Sequence, residues 1–212
     1  MTSDPATPVR YRLPVGDDVV DLQPRLGENL TLRFDGEIRC SNCGRITKKS
    51  FNQGHCFPCA RKLAACDICI LRPERCHYDA GTCREPDWGL ANCMQSHYVY
   101  LANTSGLKVG ITRHNQTPTR WIDQGATEAL PIMRVSTRLI SGLVEVAIAA
   151  HVSDKTNWRT MLKGPSEPKN LEAERDRLLA LCQPELDSIR RNCGSDAMEL
   201  LPDENPQRFD YP

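Results

Sequence analysis

The spacing of the cysteines constrains this chain more than any other feature of its sequence. Nine of the 11 cysteines lie between Cys40 and Cys93, and two Cys-x2-Cys pairs, Cys40 with Cys43 and Cys56 with Cys59, are separated by 12 residues. Each pair supplies two thiolates from one tight turn, and two such turns close a tetrahedral four-sulfur site. The sequence therefore predicts a structural Zn2+ site of the zinc-ribbon type at these four cysteines.

A second set of cysteines follows directly and is spaced less regularly: Cys66, Cys69, Cys76 and Cys83. This set could complete another four-thiolate site, and His77 or Cys93 could replace one of its ligands. The alternative is that some of these thiols are buried core residues. One or two Zn2+ ions are expected, with a role in folding, because a site closed by sulfur keeps no open position for catalysis.

The charges are balanced overall, with 27 basic and 27 acidic side chains, but they are segregated along the chain. Residues 37–77 carry 8 basic and 3 acidic side chains, which suits contact with nucleic-acid phosphates. Residues 164–212 carry 6 basic and 11 acidic side chains, and this acidic end could bind a protein partner. No apolar run approaches the roughly 18 residues of a membrane span, and the first residues lack the apolar stretch of a signal peptide. A cytoplasmic protein without membrane contact is expected, and a reducing compartment favours metal binding over disulfides.

Several segments have the pattern of β-strands. Residues 30–34 alternate apolar and polar side chains, and Asp35-Gly36 is a strong hairpin signal, so residues 37–39 would form the return strand before the first cysteine. Further strands are expected at 97–101, 108–112 and 133–137.

Helical periodicity is clearest over residues 139–151, where apolar side chains recur at intervals of three and four. A short helix is expected within 117–129, and a charged amphipathic helix over 171–182 with Asn170 as its N-cap. Residues 201–212 contain three prolines and no periodicity, which predicts a tail or the cut end of a longer domain.

Residues 97 to about 162 resemble a GIY-YIG domain. The strands Tyr98-Val99-Tyr100-Leu101 and Lys108-Val109-Gly110-Ile111-Thr112-Arg113 are similar to the two signature strands of that family, and Arg120-Trp121 is similar to the Arg-Trp of its first helix. Glu145 falls where the family has its metal-binding glutamate. The wider stretch 30–163, with the strings HYVYLANTSGLKVGITR, RWIDQGA and DKTNWR, resembles an uncharacterised bacterial family that joins zinc knuckles to this domain.

The resemblance implies an α+β fold in which an N-terminal β-hairpin and zinc-knuckle module precede a three-stranded antiparallel sheet flanked by helices. It also implies cleavage of phosphodiester bonds in DNA. Tyr98 or Tyr100 would be the first-strand tyrosine, and Lys108 stands at the position of the second signature tyrosine. Arg120 would offset the charge that develops on the phosphoryl group, and Glu145 would bind Mg2+ or Mn2+.

The sequence around Glu145 also indicates a role for this residue without reference to the GIY-YIG resemblance. The residues three and four positions away on its helix are small or apolar, so no ion pair forms along the helix. A carboxylate on the flank of an apolar stripe needs a partner if it is buried. A metal ion, Arg120 or a backbone amide could each be that partner. The remaining interpretation is that the Glu145 side chain is simply exposed to solvent.

Together these features favour a zinc-stabilised nucleic-acid-binding protein. A metal-dependent endonuclease is the leading hypothesis, with DNA favoured over RNA. A non-catalytic adaptor that binds nucleic acid or a protein through its basic face is the alternative, and modification chemistry on nucleic acid is a third. The expected organisation is an N-terminal extension with the first hairpin strand over 1–36, the cysteine-rich module over 37–96, the GIY-YIG-like domain over 97–163, and an acidic helix and tail over 164–212.

Overall fold

A computed structural model describes residues 1–152, 157–161, 163–164 and 166–212 of the chain. The protein is a mixed α+β structure, as the sequence predicts. An N-terminal antiparallel sheet is followed by the cysteine-rich segment, and then by helices and a second antiparallel sheet. Part of the DKTNWR string, residues 154–156, lies outside the described residues.

The N-terminal sheet does not lie where the sequence predicts a hairpin. Its strands are β1 (Thr2–Asp4), β2 (Arg10–Val15) and β3 (Asp18–Asp21), paired in the order β1-β2-β3. The strands predicted at 30–34 and 37–39 are not formed, so the hairpin prediction was wrong.

The predicted hairpin fails because its apolar side chains find nothing to pack against. Leu32 is 85% exposed and Phe34 is 69% exposed. The Asp35-Gly36 turn does form locally, since the Glu37 N–H donates to Asp35 Oδ1 at 3.0 Å. The residues beside the turn do not pair with each other, and Arg39 instead bridges to Ile46 beyond the first cysteine pair.

The cysteine-rich segment is built from short helices and turns. Its helices are α1 (Phe57–Lys62), α2 (Ile68–Leu71) and α3 (Pro86–Asn92). Single turns of 3-10 helix at Ala64–Cys66 and Pro73–Arg75 connect them.

The second sheet contains the strands predicted at 97–101 and 108–112, a third that begins five residues before the predicted 133–137, and two more from the end of the chain. Its strands are β4 (His97–Asn103), β5 (Leu107–Arg113), β6 (Glu128–Val135), β7 (Met198–Leu200) and β8 (Gln207–Arg208). All pairs are antiparallel in the order β5-β4-β6-β7, and β8 also pairs with β6. The expected three-stranded sheet is therefore the centre of a larger one.

Residues 201–212, for which the sequence predicts a tail, are docked on this sheet. Strand β8 pairs Arg208 with Glu128 of β6. The Phe209 ring then packs against the Trp121 ring with a centroid distance of 6.2 Å. A two-residue strand has no periodicity to detect, which explains why the sequence gives no signal for it.

Helices cover the sheet, and these are α4 (Thr119–Asp123), α5 (Arg138–Ala149), α6 (Trp158–Met161), α7 (Leu171–Leu181) and α8 (Gln183–Cys193). The helices predicted at 139–151 and 171–182 are confirmed as α5 and α7. Asn170 caps α7 as predicted, because its side chain accepts from the Ala173 N–H at 2.9 Å. Helix α8 has no counterpart among the predicted elements.

The two faces of the sheet pack against different partners. Val99 and Leu101 of β4 join Val144 and Ile148 of α5 in the main core. The alternate residues of β4, with Tyr100 among them, face a smaller cluster with Trp121 of α4. Helices α4 and α5 therefore lie on opposite sides of the sheet, and the edge strand β5 runs between them.

Candidate metal centre and candidate active site

The first four predicted cysteines meet at one point in the structure. The sulfur atoms of Cys40, Cys43, Cys56 and Cys59 all lie within 4.8 Å of one another. Cys43 Sγ and Cys56 Sγ are 3.8 Å apart, and a tetrahedral site with Zn–S bonds near 2.3 Å requires sulfur–sulfur distances of about 3.8 Å. This cluster could therefore hold a zinc ion, in agreement with the sequence.

Local backbone geometry prepares these sulfurs to bind a cation. Gly44 and Gly54 have φ values of +68° and +88°, which allow the tight turns after Cys43 and before Cys56. The Cys56 N–H donates to Cys40 Sγ at 3.2 Å. Backbone hydrogen bonds from Cys43 and Cys56 lower the pKa of the Cys40 thiol to about 5. The thiolate, which is the form that binds metal, is thus favoured at neutral pH.

The second predicted cysteine set is rearranged in the structure. Four of the cysteines line one small cavity of about 10 Å³, and they are Cys69, Cys76, Cys83 and Cys93. Among the described residues, no group of three or more metal-ligand atoms within 4.8 Å of one another includes Cys76, Cys83 or Cys93. Cys66 does not line this cavity within the described part of the chain, and its charge interacts with that of Cys40 instead. Burial raises the pKa of Cys69 to about 11, with Asp67, Cys76 and Cys93 adding to the effect.

A smaller group beside this cavity has ligand atoms within 4.8 Å of one another: Asp67, Cys69 and His77. The buried Asp67 carboxylate already pairs with Arg84 at 2.5 Å. His77 Nδ1 hydrogen-bonds Thr82 Oγ1 at 2.8 Å, and its Nε2 lies 3.7 Å from Asp67. These contacts engage Asp67 and His77 Nδ1, while the 3.7 Å separation at His77 Nε2 is longer than a hydrogen bond.

A second, larger cavity of about 620 Å³ opens at the edge strand β5. Four of the five residues predicted for catalysis line it: Tyr100, Lys108, Arg120 and Glu145. They come from β4, β5, α4 and α5 in turn. In the part of the chain that the structure describes, Tyr98 lies outside this cavity and is aligned with Thr112 and Arg134 on the neighbouring strands.

Tyr100 reaches the cavity by crossing its neighbouring strand at a glycine. Tyr100 and Gly110 are direct partners in the β4–β5 pairing. A Cβ atom on Gly110 would lie 2.7 Å from both Cζ and the hydroxyl oxygen of Tyr100, so only glycine leaves room for the ring. The Trp121 ring packs against the Tyr100 ring, and the two ring centroids are 5.8 Å apart. Gly110 of β5 therefore admits the Tyr100 ring of β4.

Gln124 joins the polar groups of this cavity. Its Oε1 accepts hydrogen bonds from the Tyr100 hydroxyl and from Lys108 Nζ, both at 2.9 Å. Sequence reasoning missed Gln124, although it lies four residues after Arg120 in the string RWIDQGA.

The Tyr100 hydroxyl stays protonated in this environment. Burial raises its pKa to about 12, against the opposing charge of Arg120, and the Glu145 carboxylate raises it further. The same interactions place the Tyr100 hydroxyl near Arg120 and Glu145. At neutral pH Tyr100 therefore donates a hydrogen bond and does not carry a negative charge.

Glu145 is half-buried in the cavity wall, on the side of α5 that faces β5. The plain exposure considered from the sequence is therefore not what the structure has. Arg138, one of the other lining residues, interacts electrostatically with Glu145. Its Nη2 donates to the Ile70 carbonyl at 2.8 Å, and burial lowers its pKa. Arg138 was not predicted as a site residue.

Metal binding at Glu145 would have few protein ligands. Among the described residues, no group of three or more metal-ligand side chains within 4.8 Å includes Glu145. A hard divalent ion such as Mg2+ commonly uses one or two carboxylates and completes its shell with water and substrate phosphate oxygens. A half-buried carboxylate in an open polar cavity fits that mode of binding. Four cationic side chains line the same cavity, and these are Lys108, Arg113, Arg120 and Arg138.

An exposed aromatic pair lies beside the first cysteine cluster. The rings of Phe51 and Phe57 are 5.2 Å apart, and the two residues are 45% and 50% exposed. Lys49 Nζ lies 4.8 Å from the centre of the Phe51 ring, and the Arg61 guanidinium lies 5.7 Å from that of Phe57. The cations predicted for phosphate contact are all exposed here: Arg39, Arg45, Lys48, Lys49, Arg61 and Lys62.

Comparison with known proteins gives one result. No curated protein and no solved structure matches the chain significantly. Within the described residues, every helix is too short or too polar to span a membrane. The DUF2797 family, described as "Protein of unknown function", matches residues 27–212, which begins after the N-terminal sheet and includes both cysteine clusters and the β5 cavity. The chain therefore belongs to the DUF2797 family.

Proposed function

We propose that this protein is a zinc-containing nucleic-acid-binding protein whose β5 cavity is a GIY-YIG-like endonuclease site. One observation carries the proposal: Tyr100, Lys108, Arg120 and Glu145 are far apart in sequence but line one open polar cavity. These are the residues that the resemblance assigns to phosphodiester cleavage. The cavity has an excess of positive charge, which suits a phosphate group.

Each polar residue of the cavity would have a separate role in phosphodiester hydrolysis. Arg120 is exposed at the cavity, so its guanidinium can contact a phosphate that enters from solvent and can offset the charge of the pentacovalent transition state. Tyr100 is protonated, and its hydroxyl donates to Gln124 in the resting enzyme. The same hydroxyl can orient the attacking water, because it lies near both Arg120 and Glu145.

Glu145 would hold Mg2+ or Mn2+, and such an ion supplies Lewis-acid stabilisation of the leaving oxygen. Lys108 is buried and hydrogen-bonded to Gln124, so it serves to fix the amide beside Tyr100 and adds positive charge to the cavity floor. This role explains how lysine can replace the second signature tyrosine without supplying a base.

A second candidate function is a nucleic-acid adaptor without catalysis. The exposed Phe51 and Phe57 rings favour it, because they lie in the cysteine module with Lys49 and Arg61 beside them and outside the cavity. Aromatic rings flanked by cations are the usual surface for stacking unpaired bases. In the endonuclease the same surface would hold the substrate, with DNA proposed as the partner. The exposed acidic side chains of α7 and α8 would be available to a protein partner.

Cleavage assays on the zinc-loaded protein test the proposal. Branched, nicked and linear DNA and RNA are incubated with the protein and Mn2+, beside the variants Glu145→Gln and Arg120→Ala. We expect cleavage of at least one substrate and a loss of about a hundredfold in each variant. Glu172→Gln and Arg191→Ala, which change exposed residues on α7 and α8, are matched controls and should cut as the wild type does.

The two candidate functions give different outcomes. If the wild type cuts no substrate, or if Glu145→Gln cuts as fast as the wild type, the endonuclease proposal is wrong. The adaptor is then supported if single-stranded nucleic acid still binds and if Phe51→Ala weakens binding by about 1–3 kcal/mol.

A further inference from the structure

We propose that Cys69, Cys76, Cys83 and Cys93 hold a second zinc ion, which fixes one wall of the β5 cavity. This set is one of the alternatives that the sequence left open, with Cys93 in the place of Cys66. The inference concerns the metal content of the protein and does not depend on its being a nuclease.

The four cysteines come from separate short elements that meet at one small cavity. Cys69 lies on α2, Cys76 follows the turn at Pro73–Arg75, and Cys83 and Cys93 lie on either side of α3. All four line a cavity of about 10 Å³, close to the smallest cavity that can hold one water molecule. That space suits a single ion enclosed by its ligands. All four cysteines are free thiols, so none is used in a disulfide.

A glycine makes room for this arrangement on α3. A Cβ atom on Gly89 would lie 3.1 Å from Cys83 Sγ and 2.8 Å from the Tyr78 ring. The Gly89 carbonyl also accepts the Cys93 N–H at 2.7 Å, which places Cys93 one turn along the helix. Helix α3 therefore contacts Cys83 through Gly89, and Cys93 follows directly at its C-terminal end.

The surroundings match the charge of a four-thiolate zinc site, which is −2 with the metal bound. Arg84 lines the cavity, and Arg138 interacts electrostatically with Cys93, Cys69 and Cys76. Both cations also have a carboxylate partner, Asp67 for Arg84 and Glu145 for Arg138, so they offset that charge only in part.

Two other ligand sets are less suitable. Cys66 interacts with Cys40 and Arg84 and does not line this cavity in the described structure. Asp67 is paired with Arg84 at 2.5 Å, and His77 is hydrogen-bonded to Thr82. Ligation through Asp67 Oδ2 would compete with its Arg84 pair, whereas His77 could ligate through Nε2 and keep its Nδ1 bond to Thr82, so the His77→Ala variant below separates the two sets.

The second cysteine cluster is mechanically linked to the β5 cavity. The segment between Cys69 and Cys76 supplies Ile70, Leu71 and Pro73 to the cavity wall. The same segment packs tightly on α5, because a Cβ atom on Gly142 would lie 2.5 Å from Pro73 Cβ. Gly142 is one helical turn before Glu145, so a metal ion that fixes this segment also fixes the surroundings of Glu145.

Elemental analysis of the purified, reduced full-length chain tests this inference. We expect two zinc ions per wild-type chain and one in Cys83→Ala and in Cys93→Ala. Cys66→Ala and His77→Ala are the matched controls and should keep two. The inference is overturned if the wild type holds fewer than two, if Cys93→Ala keeps two, or if either control loses one.

Thiol alkylation with peptide mapping provides a test that needs no variant to fold. In the zinc-loaded wild type, we expect Cys66 to react first and the four proposed ligands to be protected together. A chelator should make Cys69, Cys76, Cys83 and Cys93 reactive in one step. Reaction of Cys93 at the rate of Cys66 before chelation would contradict the proposed ligand set.

Discussion

The cysteine-rich segment and the second sheet are stabilised in different ways. Large apolar side chains in the cysteine-rich segment are largely exposed, including Phe57 at 50%, Leu71 at 74% and Leu90 at 58%. Half of its buried residues are cysteines, and these are Cys40, Cys56, Cys69 and Cys93. The second sheet instead buries a continuous core that includes Val99, Ile148 and others. Burial of apolar surface can stabilise the sheet, but it cannot stabilise the cysteine-rich segment.

The two regions nevertheless form one structure, because they meet at α5. The Arg138 N–H donates to the Cys93 carbonyl at 2.8 Å, and the Arg138 side chain donates to Ile70. The segment at Pro73 packs on Gly142. The wall of the β5 cavity therefore has two parts. The segment around Pro73 depends on the cysteine-rich segment for its stability, and α5 depends on the hydrophobic core of the sheet. Four experiments can break or sharpen this comparison.

Metal removal should have the largest effect, and it should be confined to the cysteine-rich segment. Structural zinc in small modules is worth on the order of 10 kcal/mol, so chelation under reducing conditions should unfold residues 40–93. Hydrogen exchange read by mass spectrometry should show loss of protection there and retained protection in β4 and β6. Equal loss in both regions, or none in residues 40–59 after verified zinc removal, would contradict the comparison.

Truncation of the sheet core should show the opposite pattern. Ile148 is fully buried on α5, and Ile148→Ala should lower the free energy of unfolding by about 2–5 kcal/mol while the zinc content stays the same. Val146 lies on the same helix and is 54% exposed, so Val146→Ala is the matched control, with an expected change within about 0.5 kcal/mol. Denaturant titration measures both variants, and similar losses in the two would show that α5 is not held by the core.

The crossing of Tyr100 over Gly110 should be sensitive to a single methyl group. Gly110→Ala places a Cβ atom against the Tyr100 ring, and we expect a loss of about 1–3 kcal/mol of stability. A double-mutant cycle with Tyr100→Ala is the control, since removing the ring should remove most of that cost. If the two changes are additive, the ring does not occupy the space above Gly110.

The smallest effect is a pH dependence that arises from the sheet. His97 is fully buried at the start of β4, and burial lowers its pKa to about 4. The unfolded chain takes up the proton near pH 6.5, so stability is highest above that pH and falls as the pH drops toward 4. Between about pH 7.5 and 5.5 the expected loss is about 1.4 kcal/mol.

The His97→Gln variant measures this contribution, because it removes the titration while keeping a polar side chain. The loss of stability between the two pH values should be smaller in the variant than in the wild type. His151→Gln, at an exposed position, is the control and should behave as the wild type does. Zinc release at low pH affects all three proteins alike, so the difference between them reports His97. A variant with the full wild-type pH dependence would show that His97 is not the group responsible.

Much of the fold could be predicted because its signals are local. The Cys-x2-Cys spacing placed the first four ligands, and the interval of three and four between apolar residues placed α5. The sequence left Tyr98 and Tyr100 open as alternatives, and only the position of Gly110 across the strand shows which ring enters the cavity. The hairpin over 30–39 was mispredicted, because alternation forms a strand only where a partner surface exists.

The sequence by itself determined which four cysteines meet in the first cluster, the strands that flank Gly106, and the helix that carries Glu145. Spacing and periodicity act within a few residues, so they can be detected in one chain. The tertiary structure chose between the alternatives that the sequence left open for the second cysteine set, because Cys93 lines one cavity with Cys69, Cys76 and Cys83. It also decided that β7 and β8 complete the sheet, and that Gln124 and Arg138 enter the β5 cavity. These contacts join segments distant in sequence, and the packing of α3, α4 and α5 brings them together.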